Sequence, residues 1–307
     1  MAETFHFNIS MISRGKSKSA VASAAYISCE KIKNEWDGVT HDYHNKKGLL
    51  HSEIFLLENI PKEFQNRSFL WNSVELNEKA SNAQLARNFI IALPKELSFE
   101  ENKKLITEFI QENFVSKGMI ADLAIHDESN EGNNNIHAHI MTTLRPINEK
   151  GQWQAKSKKE YILDDEGNKI LNKNGKPKTR KVELTDWNNK GNAEKWRESF
   201  AEICNIYLER NNLEKRVDHR SFERQGIEEI PTIHLGASAS ALERKGIETD
   251  KGNINREIKK HNSLVKAIKE RISELTSWIG SLIGNLQAKY DEYKQEKKEE
   301  YEIEAEL

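Results

Sequence analysis

The amino-acid sequence predicts an α+β protein, an α/β sandwich in which a central antiparallel sheet is flanked by helices and followed by a C-terminal helical extension. Up to about residue 212, stretches that alternate apolar and polar residues are interspersed with stretches of amphipathic helical period. Two of the predicted strands follow one another across a single polar loop, which favours antiparallel pairing. From about Gly236 the apolar residues recur in steps of three and four, a spacing typical of a long helix.

The individual helices and strands are predicted from the spacing of their apolar residues and from the residues that begin and end each element. Residues 98–118, for example, predict an amphipathic helix with Ser98 as its N-cap and Gly118 as its C-terminal stop. The basic, polar stretch 160–184 contains turn pairs such as Glu166-Gly167 and predicts a β-hairpin insertion. In chain order, strands are predicted at 5–11, 50–57, 82–94 and twice within 119–144, and helices at 19–33, after Pro61, at 98–118 and at 192–212.

Residues 119–144 predict the hairpin around which the rest of the chain is organised. His137 and His139 lie two residues apart in its second strand, so both side chains project from the same face, about 7 Å apart along the strand. His126 ends the first strand beside this pair. Three imidazoles from adjacent strands can converge on one divalent ion and leave coordination positions open, as Lewis-acid catalysis requires. The alternative is a group of ordinary surface or half-buried histidines.

The loop SRGKSKS after the first strand carries Arg14, Lys16 and Lys18. It lacks the first glycine of a P-loop, which argues against nucleoside triphosphate binding. Basic side chains and free amides at the start of the next helix could instead hold a DNA phosphate, with a solvated turn as the alternative. Tyr26 lies in that helix directly after two alanines. Taken alone it predicts a packing residue, but its combination with a three-histidine hairpin favours a function.

Composition limits what the protein binds. The chain has 47 Lys and Arg and 49 Asp and Glu, for a net charge of −2, so a nucleic-acid surface must come from segregated charge. Cys29 and Cys204 form no spaced pattern, which is typical of a reducing compartment. The N-terminus lacks the regions of a signal peptide, and the apolar run 277–286 is too short to span a bilayer. These features predict a soluble, cytoplasmic protein with no membrane span.

Four motifs make the chain resemble the MobA/MobL family of plasmid mobilization relaxases, which belong to the HUH nickase class. The motifs are SAVASAAYIS around Tyr26, the strand end ARNFIIALPKEL, the histidine hairpin, and RVDHRSFERQGIEEIPTIHLG at 216–236. The resemblance implies an HUH relaxase domain at 1–236. It leaves 237–307 as a helical, partly coiled-coil extension with an acidic tail. An apolar seam at 265–286 predicts self-association, and a helix folded back on the domain is the alternative.

The resemblance also implies a reaction. Similar enzymes nick one DNA strand at a plasmid origin of transfer by tyrosine attack and form a 5′-phosphotyrosine intermediate that is later religated. By position, Tyr26 is the nucleophile, and His126, His137 and His139 are the ligands of a divalent ion, Mg²⁺ or Mn²⁺. The ion is needed because a phenol with a pKa near 10 is only about 0.1% ionised at pH 7.

The partners implied are the single-stranded DNA of an origin-of-transfer hairpin, accessory relaxosome proteins and a conjugation coupling protein. The matched motifs add Arg87, His219 and Arg220 to the predicted DNA contacts. Two rival functions stay open at this point: a rolling-circle replication initiator of the same chemical class, and a non-catalytic origin-binding protein.

One departure from the family pattern bears on the mechanism. Relatives commonly carry a Glu where this chain has Asn88, placed to orient or deprotonate the tyrosine. An amide can hydrogen-bond the phenol but cannot accept its proton near neutral pH. Asp122, on the His126 face by alternation, is expected to accept a hydrogen bond from an imidazole N–H, or else to be an ordinary exposed strand residue.

Overall fold

A computed structural model describes residues 6–127 and 135–306. The described residues form two compact units, 6–219 and 220–306. Part of the predicted histidine hairpin's connection, residues 128–134, lies outside the described residues. The strands of the first unit are β1 Phe7–Ser13, β2 Lys31–Lys33, β3 Thr40–Asp42, β4 Leu49–Phe55, β5 Gln84–Ala92, β6 Ala121–Asp127, β7 Ile136–Thr142, β8 Ser157–Tyr161 and β9 Thr179–Glu183, and its α-helices are α1 Ala20–Ser28, α2 Arg67–Asn77, α3 Phe99–Asn113 and α4 Asn192–Arg210.

Five strands form one sheet in the order β1-β5-β7-β6-β4, and every neighbouring pair is antiparallel. The predicted α+β class with a central antiparallel sheet is therefore confirmed. The hairpin strands β6 and β7 lie in the interior of the sheet, with His126 directly opposite His137. Because strands at this place are covered on both sides, their alternate residues face two different helical layers.

One face of the sheet packs against α3 and α4. Its core is aromatic: the ring of Phe7 lies edge-on to Phe89 and Phe109, with centroids 6.0 and 5.9 Å apart. Phe89 and Phe109 are both fully buried. The amphipathic period of α3 and α4 supplies this layer, as the sequence predicts, and Ser98 caps α3 by accepting from the Glu101 N–H at 3.2 Å.

The other face packs against α1 and α2. The small residues Ala20, Ala24 and Ala25 of α1 are completely buried, so this helix lies close to the sheet. It is shorter than predicted, since Cys29 takes a left-handed conformation (φ 57°) and donates its backbone N–H to the Ala25 carbonyl. The residues up to Lys33 then enter the short hairpin β2–β3, which the helical pattern did not reveal.

The predicted hairpin insertion is present as β8 and β9 with a two-lobed tip. The tip repeats one turn twice in sequence, as ILDDEGNK and ILNKNGKP. In the first lobe the Asp164 carboxylate accepts from the N–H groups of Glu166 and Asn168, at 3.1 and 2.7 Å. The Asn172 side chain does the same in the second lobe. These Asx-type turns explain why two short lobes fold within one insertion.

The second unit contains α5, Gly236–Arg244, and α6, Asp250–Glu306. It begins at residue 220, whereas the sequence places the start of the helical extension at 237. A strap formed by residues 228–235 lies along α6, where the side chain of Asn262 pairs with both the N–H and the carbonyl of Ile230, at 2.9 and 2.8 Å. Among the described residues, no helix is both long enough and apolar enough to cross a membrane.

Candidate active site

Three imidazoles meet on the α1 face of the sheet. His126 comes from β6, and His137 and His139 come from β7. Their ring centroids are 5.8 Å apart for His126 and His137, 5.1 Å for His126 and His139, and 4.9 Å for His137 and His139. All three residues are buried. The alternation argument therefore placed these three side chains together correctly.

The hydrogen bonds of the three rings differ. The Nδ1–H of His137 can donate to the Asn135 carbonyl at 2.8 Å, which leaves the Nε2 lone pair available to a ligand. Burial, with His137, His126 and Lys46 as further causes, lowers the pKa of His139 to about 3, so this ring is neutral at neutral pH. His126 is engaged at both nitrogens: Nε2 lies 2.6 Å from the Ile27 carbonyl, and Nδ1 lies 3.1 Å from the Lys46 ammonium.

The ring spacing fits a shared metal ion. An ion bound at an ordinary nitrogen distance lies about 3.2 Å from each ring centroid, so three imidazoles around it have centroids about 5 Å apart. The observed separations, 4.9 to 5.8 Å, agree with this. Within residues 6–127 and 135–306, however, no three metal-binding side chains already converge as ligands. To bind an ion, His126 Nε2 would have to give up its contact with the Ile27 carbonyl.

Tyr26 lies in the last turn of α1, one residue before the carbonyl that contacts His126. Its side chain is 43% exposed, unlike the buried alanines before it. The ring packs edge-on against Tyr43, with centroids 5.3 Å apart, and the Lys46 ammonium lies 4.6 Å from its centroid. A packing residue would be buried, so the exposure of Tyr26 argues against that interpretation.

An open cleft of about 400 Å³ joins these groups. Tyr26, Asn88 and His139 all line it, and so does Lys18 from the basic loop. Asn88 belongs to β5 and donates to the Ser10 hydroxyl of β1 over a long 3.4 Å. A phenol hydroxyl, an amide and a neutral imidazole thus share one solvent-accessible surface.

Comparison with known proteins decides the family. The model of the MobA/MobL family matches residues 18–245. The chain is 34% identical over 293 residues to "Probable mobilization protein MobA" of Bifidobacterium longum, covering 91% of this chain and 51% of that protein. It is 39% identical over 254 residues to "Conjugal transfer protein TraA" of Agrobacterium fabrum, covering 78% and 22%. The chain belongs to the MobA/MobL family.

A solved structure agrees with this assignment. The chain described as "Molecular Basis of Vancomycin Resistance Transfer in Staphylococcus aureus" superimposes with a TM-score of 0.60 at 32% identity, over 71% of this chain and all of that one. The HUH relaxase fold expected from the resemblance is thereby confirmed. The chain spans about half of the MobA relative and about a fifth of the TraA relative.

Asp122 does not have the role predicted for it in this MobA/MobL chain. It does lie on the His126 face, but it is fully buried and accepts from Arg67 through both Nε and Nη2, at 2.8 to 3.0 Å. The indole N–H of Trp71 donates to Oδ2 of the same carboxylate at 2.8 Å. Asp122 therefore ties α2 to the sheet, and neither the imidazole-orienting role nor the exposed position is correct.

Two predicted DNA contacts are structural instead. The Arg14 guanidinium binds the Glu75 carboxylate at 2.7 Å and stacks 3.8 Å from the Trp36 ring centroid. Arg87 is buried on the α4 face, donates to Asn188 at 2.7 Å and lies over the Trp196 ring. Burial lowers the pKa of Arg87 to about 10. Neither side chain reaches the cleft.

The first amides of α1 also have protein acceptors. The Ala20 N–H donates to Glu75 at 2.7 Å, and the Ala22 N–H donates to the Ser19 hydroxyl at 3.1 Å. These two amides are therefore not available to a phosphate, and the remainder of the predicted phosphate site stays a prediction. Lys16 and Lys18 are both exposed, and Lys18 lines the cleft, so their DNA contacts stay predictions.

The last two predicted contacts lie at the boundary of the units. The His219 ring is half-buried, with Nε2 3.4 Å from Glu194, whereas Arg220 is exposed in the second unit. Their roles also stay predictions. Sequence reasoning missed Lys46 and Tyr43, which lie within HDYHNKKG, a polar loop without a periodic signal.

Proposed function

We propose that this chain is a relaxase that nicks one strand at a plasmid origin of transfer and rejoins it during conjugative mobilization. Tyr26 attacks a single phosphodiester and forms a covalent 5′-phosphotyrosine. The observation that supports this most is the cleft in which exposed Tyr26 lies beside Asn88 and the imidazole of His139. A nucleophile on an open cleft can meet an extended single strand, which a buried tyrosine could not.

The proposed reaction exchanges one phosphodiester bond for another of similar energy. The Tyr26 oxygen forms a new ester to phosphorus, its proton is lost to solvent, and the 3′ oxygen leaves and is protonated. One phosphodiester replaces another, so attack by a 3′-OH on the phosphotyrosine restores the strand. Asn88 can hold the phenol by a hydrogen bond but cannot take its proton. Proton removal in this chain is therefore left to solvent and to the electrostatics of the site.

His137 and His139, with His126 after its ring turns from the Ile27 carbonyl, would hold a divalent ion, Mg²⁺ or Mn²⁺. Such an ion supplies positive charge that polarises the phosphate and offsets the charge of the transition state. Three neutral imidazoles suit this use because they leave the ion's own charge undiminished.

Charge segregation supports DNA binding. The protein as a whole has a net charge of −2, yet residues 156–181 carry nine Lys and Arg against four Asp and Glu. This stretch holds the exposed β8–β9 arm, where Tyr161 is 52% exposed and the Lys169 ammonium lies 3.9 Å from its ring centroid. Basic residues around an exposed aromatic ring suit a phosphate backbone with accessible bases. Accessory relaxosome proteins and a coupling protein would be further partners in this role.

The test is a nicking reaction, with Mn²⁺ present, on single-stranded oligonucleotides that cover any inverted repeat found in the DNA beside the gene. We expect a covalent protein–DNA adduct from the natural chain and none from Tyr26→Phe, which loses only the attacking oxygen and keeps strand binding. Tyr43→Phe is the matched control and should still form the adduct. Binding without any adduct from the natural chain would favour the non-catalytic origin-binding protein instead.

A further inference from the structure

The apolar stripe of α6 has no covering partner among the described residues. Its side chains between Leu264 and Tyr290 are 45 to 62% exposed, except for half-buried positions at its edge. The stripe is about 40 Å long. Contiguous apolar surface of this size marks an interaction site. It includes Ile268, Ile272, Leu275, Trp278, Ile279, Leu282, Ile283 and Leu286.

The strap of residues 228–235 covers a different face of the same helix. The side chain of Asn255 pairs with both the N–H and the carbonyl of Ile233, and that of Asn262 pairs with both groups of Ile230. An ion pair from Lys269 to Glu228 at 3.1 Å adds a third attachment. These three α6 residues are spaced by seven, so they form one line along the helix. The apolar stripe runs beside that line and continues beyond it.

The charge of α6 indicates what covers the stripe. Residues 250–272 carry seven Lys and Arg against three Asp and Glu, whereas residues 282–304 carry four against seven. A second copy aligned in parallel would bring like net charges together at both ends. An antiparallel copy would bring the basic half opposite the acidic half, which is favourable.

The apolar residues are compatible with the same arrangement, and one charged residue favours it. Pairing residue 268 with 286, 272 with 282 and 275 with 279 of a second copy gives layers made only of Ile and Leu. This register has its midpoint at residue 277, which is also the middle of the stripe. In a parallel pair Lys289 would face the Lys289 of the other copy at a core position of the heptad, whereas in this antiparallel register it faces Val265.

We propose that α6 forms an antiparallel homodimer through residues 264–290, centred on Ser277. This inference does not depend on the nicking chemistry of the first unit. Dimerisation would place two copies of the first unit in one assembly.

The first test is sedimentation equilibrium of the full chain. We expect a dimer at micromolar concentration that Leu275→Glu with Leu282→Glu weakens more than tenfold. The matched control is Ser277→Glu with Ser281→Glu. Residue 277 is the midpoint along the axis, but both serine side chains lie on the side of the helix away from the stripe, so the same added charge should leave the dimer intact. A chain that stays monomeric at about 100 μM, or a control that dissociates equally, would overturn the proposal.

The second test determines the orientation by disulfide cross-linking in a Cys29→Ser background. Ile268→Cys mixed with Leu286→Cys should give a mixed disulfide, identified by tagging one of the two chains. Neither variant alone should cross-link, because an antiparallel pair separates the two copies of residue 268 by about 27 Å along the axis. Cross-linking of Ile268→Cys with itself would show a parallel pair and contradict the proposal.

Discussion

The two faces of the central sheet carry different chemistry, although they are built from alternate residues of the same strands. Towards α3 and α4 the strands present apolar side chains such as Phe89, in one buried cluster with Phe109. Towards α1 they present the histidines and Asn88, next to the open cleft. The aromatic face therefore supplies burial energy, while the cleft face holds polar groups in fixed positions. The α1 face also contributes burial, through Ala124, Met141 and the structural Asp122, so we expect stability and function to separate only at the strand residues that line the cleft.

The strongest test of this separation lies in the histidines. Replacing His137 or His139 with Ala should abolish both nicking and Mn²⁺ binding, because each ring is one of three ligands proposed for the ion. Calorimetric titration with Mn²⁺ measures the binding. His51→Ala is the control, since this imidazole contacts Glu53 at 3.1 Å outside the cluster. Unchanged Mn²⁺ affinity in both site variants would mean that His137 and His139 are ordinary strand histidines and not metal ligands.

The opposite face should respond in the opposite way. Phe109→Ala is expected to lower the free energy of unfolding by about 3–5 kcal/mol, because it removes a fully buried ring from the aromatic layer. Urea unfolding followed by circular dichroism gives this value. Nicking per folded molecule should stay near that of the natural chain. If activity fell while the protein was still fully folded, the two faces would be coupled and the comparison would fail.

Asn88 sharpens the comparison within the cleft face. Without an acidic residue there, cleavage should rise with pH towards the pKa of a phenol, because only the ionised oxygen attacks well. Asn88→Glu should raise the rate near neutrality and flatten that rise. We expect a gain at the lower end of the roughly 10²–10⁴-fold range of general bases, since the nearby charge also opposes phenol ionisation. Single-turnover cleavage from about pH 6 to 9 measures both profiles, and identical profiles would remove position 88 from the mechanism.

The two cysteines offer the smallest effect. Cys204 lies in the α4 layer, where burial raises the pKa of its thiol to about 12. Cys29 is half-buried at the end of α1; burial raises the pKa of its thiol too, but nearby Lys46 opposes that rise. A raised pKa leaves less of the reactive thiolate at pH 8. Labelling with a maleimide should therefore modify Cys29 at least tenfold faster than Cys204. Equal rates would mean that the α4 layer opens as readily as the cleft side.

The sequence shows which face of a strand each residue occupies. That alternation was enough to predict most of the sheet and the grouping of the three histidines. The same rule could have excluded Arg87 as a DNA contact, because Arg87 shares its parity with the core residues Phe89 and Ile91. Asp122 needed more than parity, since its partners Arg67 and Trp71 come from a helix 51 or more residues earlier.

The position of Lys46 beside the histidines could not be predicted from the sequence for a similar reason. It contacts His126 across 80 residues from a loop with no period, and only the folded chain brings the two together. Short hairpins such as β2–β3, with three residues a strand, likewise give too few alternations to be recognised.

The measurement that tests the central claim most directly is the identity of the DNA-linked residue. Protease digestion of the covalent adduct, followed by mass spectrometry, assigns the phosphate to one side chain. The account predicts a 5′-phosphotyrosine at Tyr26. Tyr43, whose ring lies 5.3 Å away in the same cleft, is the informative alternative. A nucleotide attached to Tyr43, or to any residue other than Tyr26, would contradict the account.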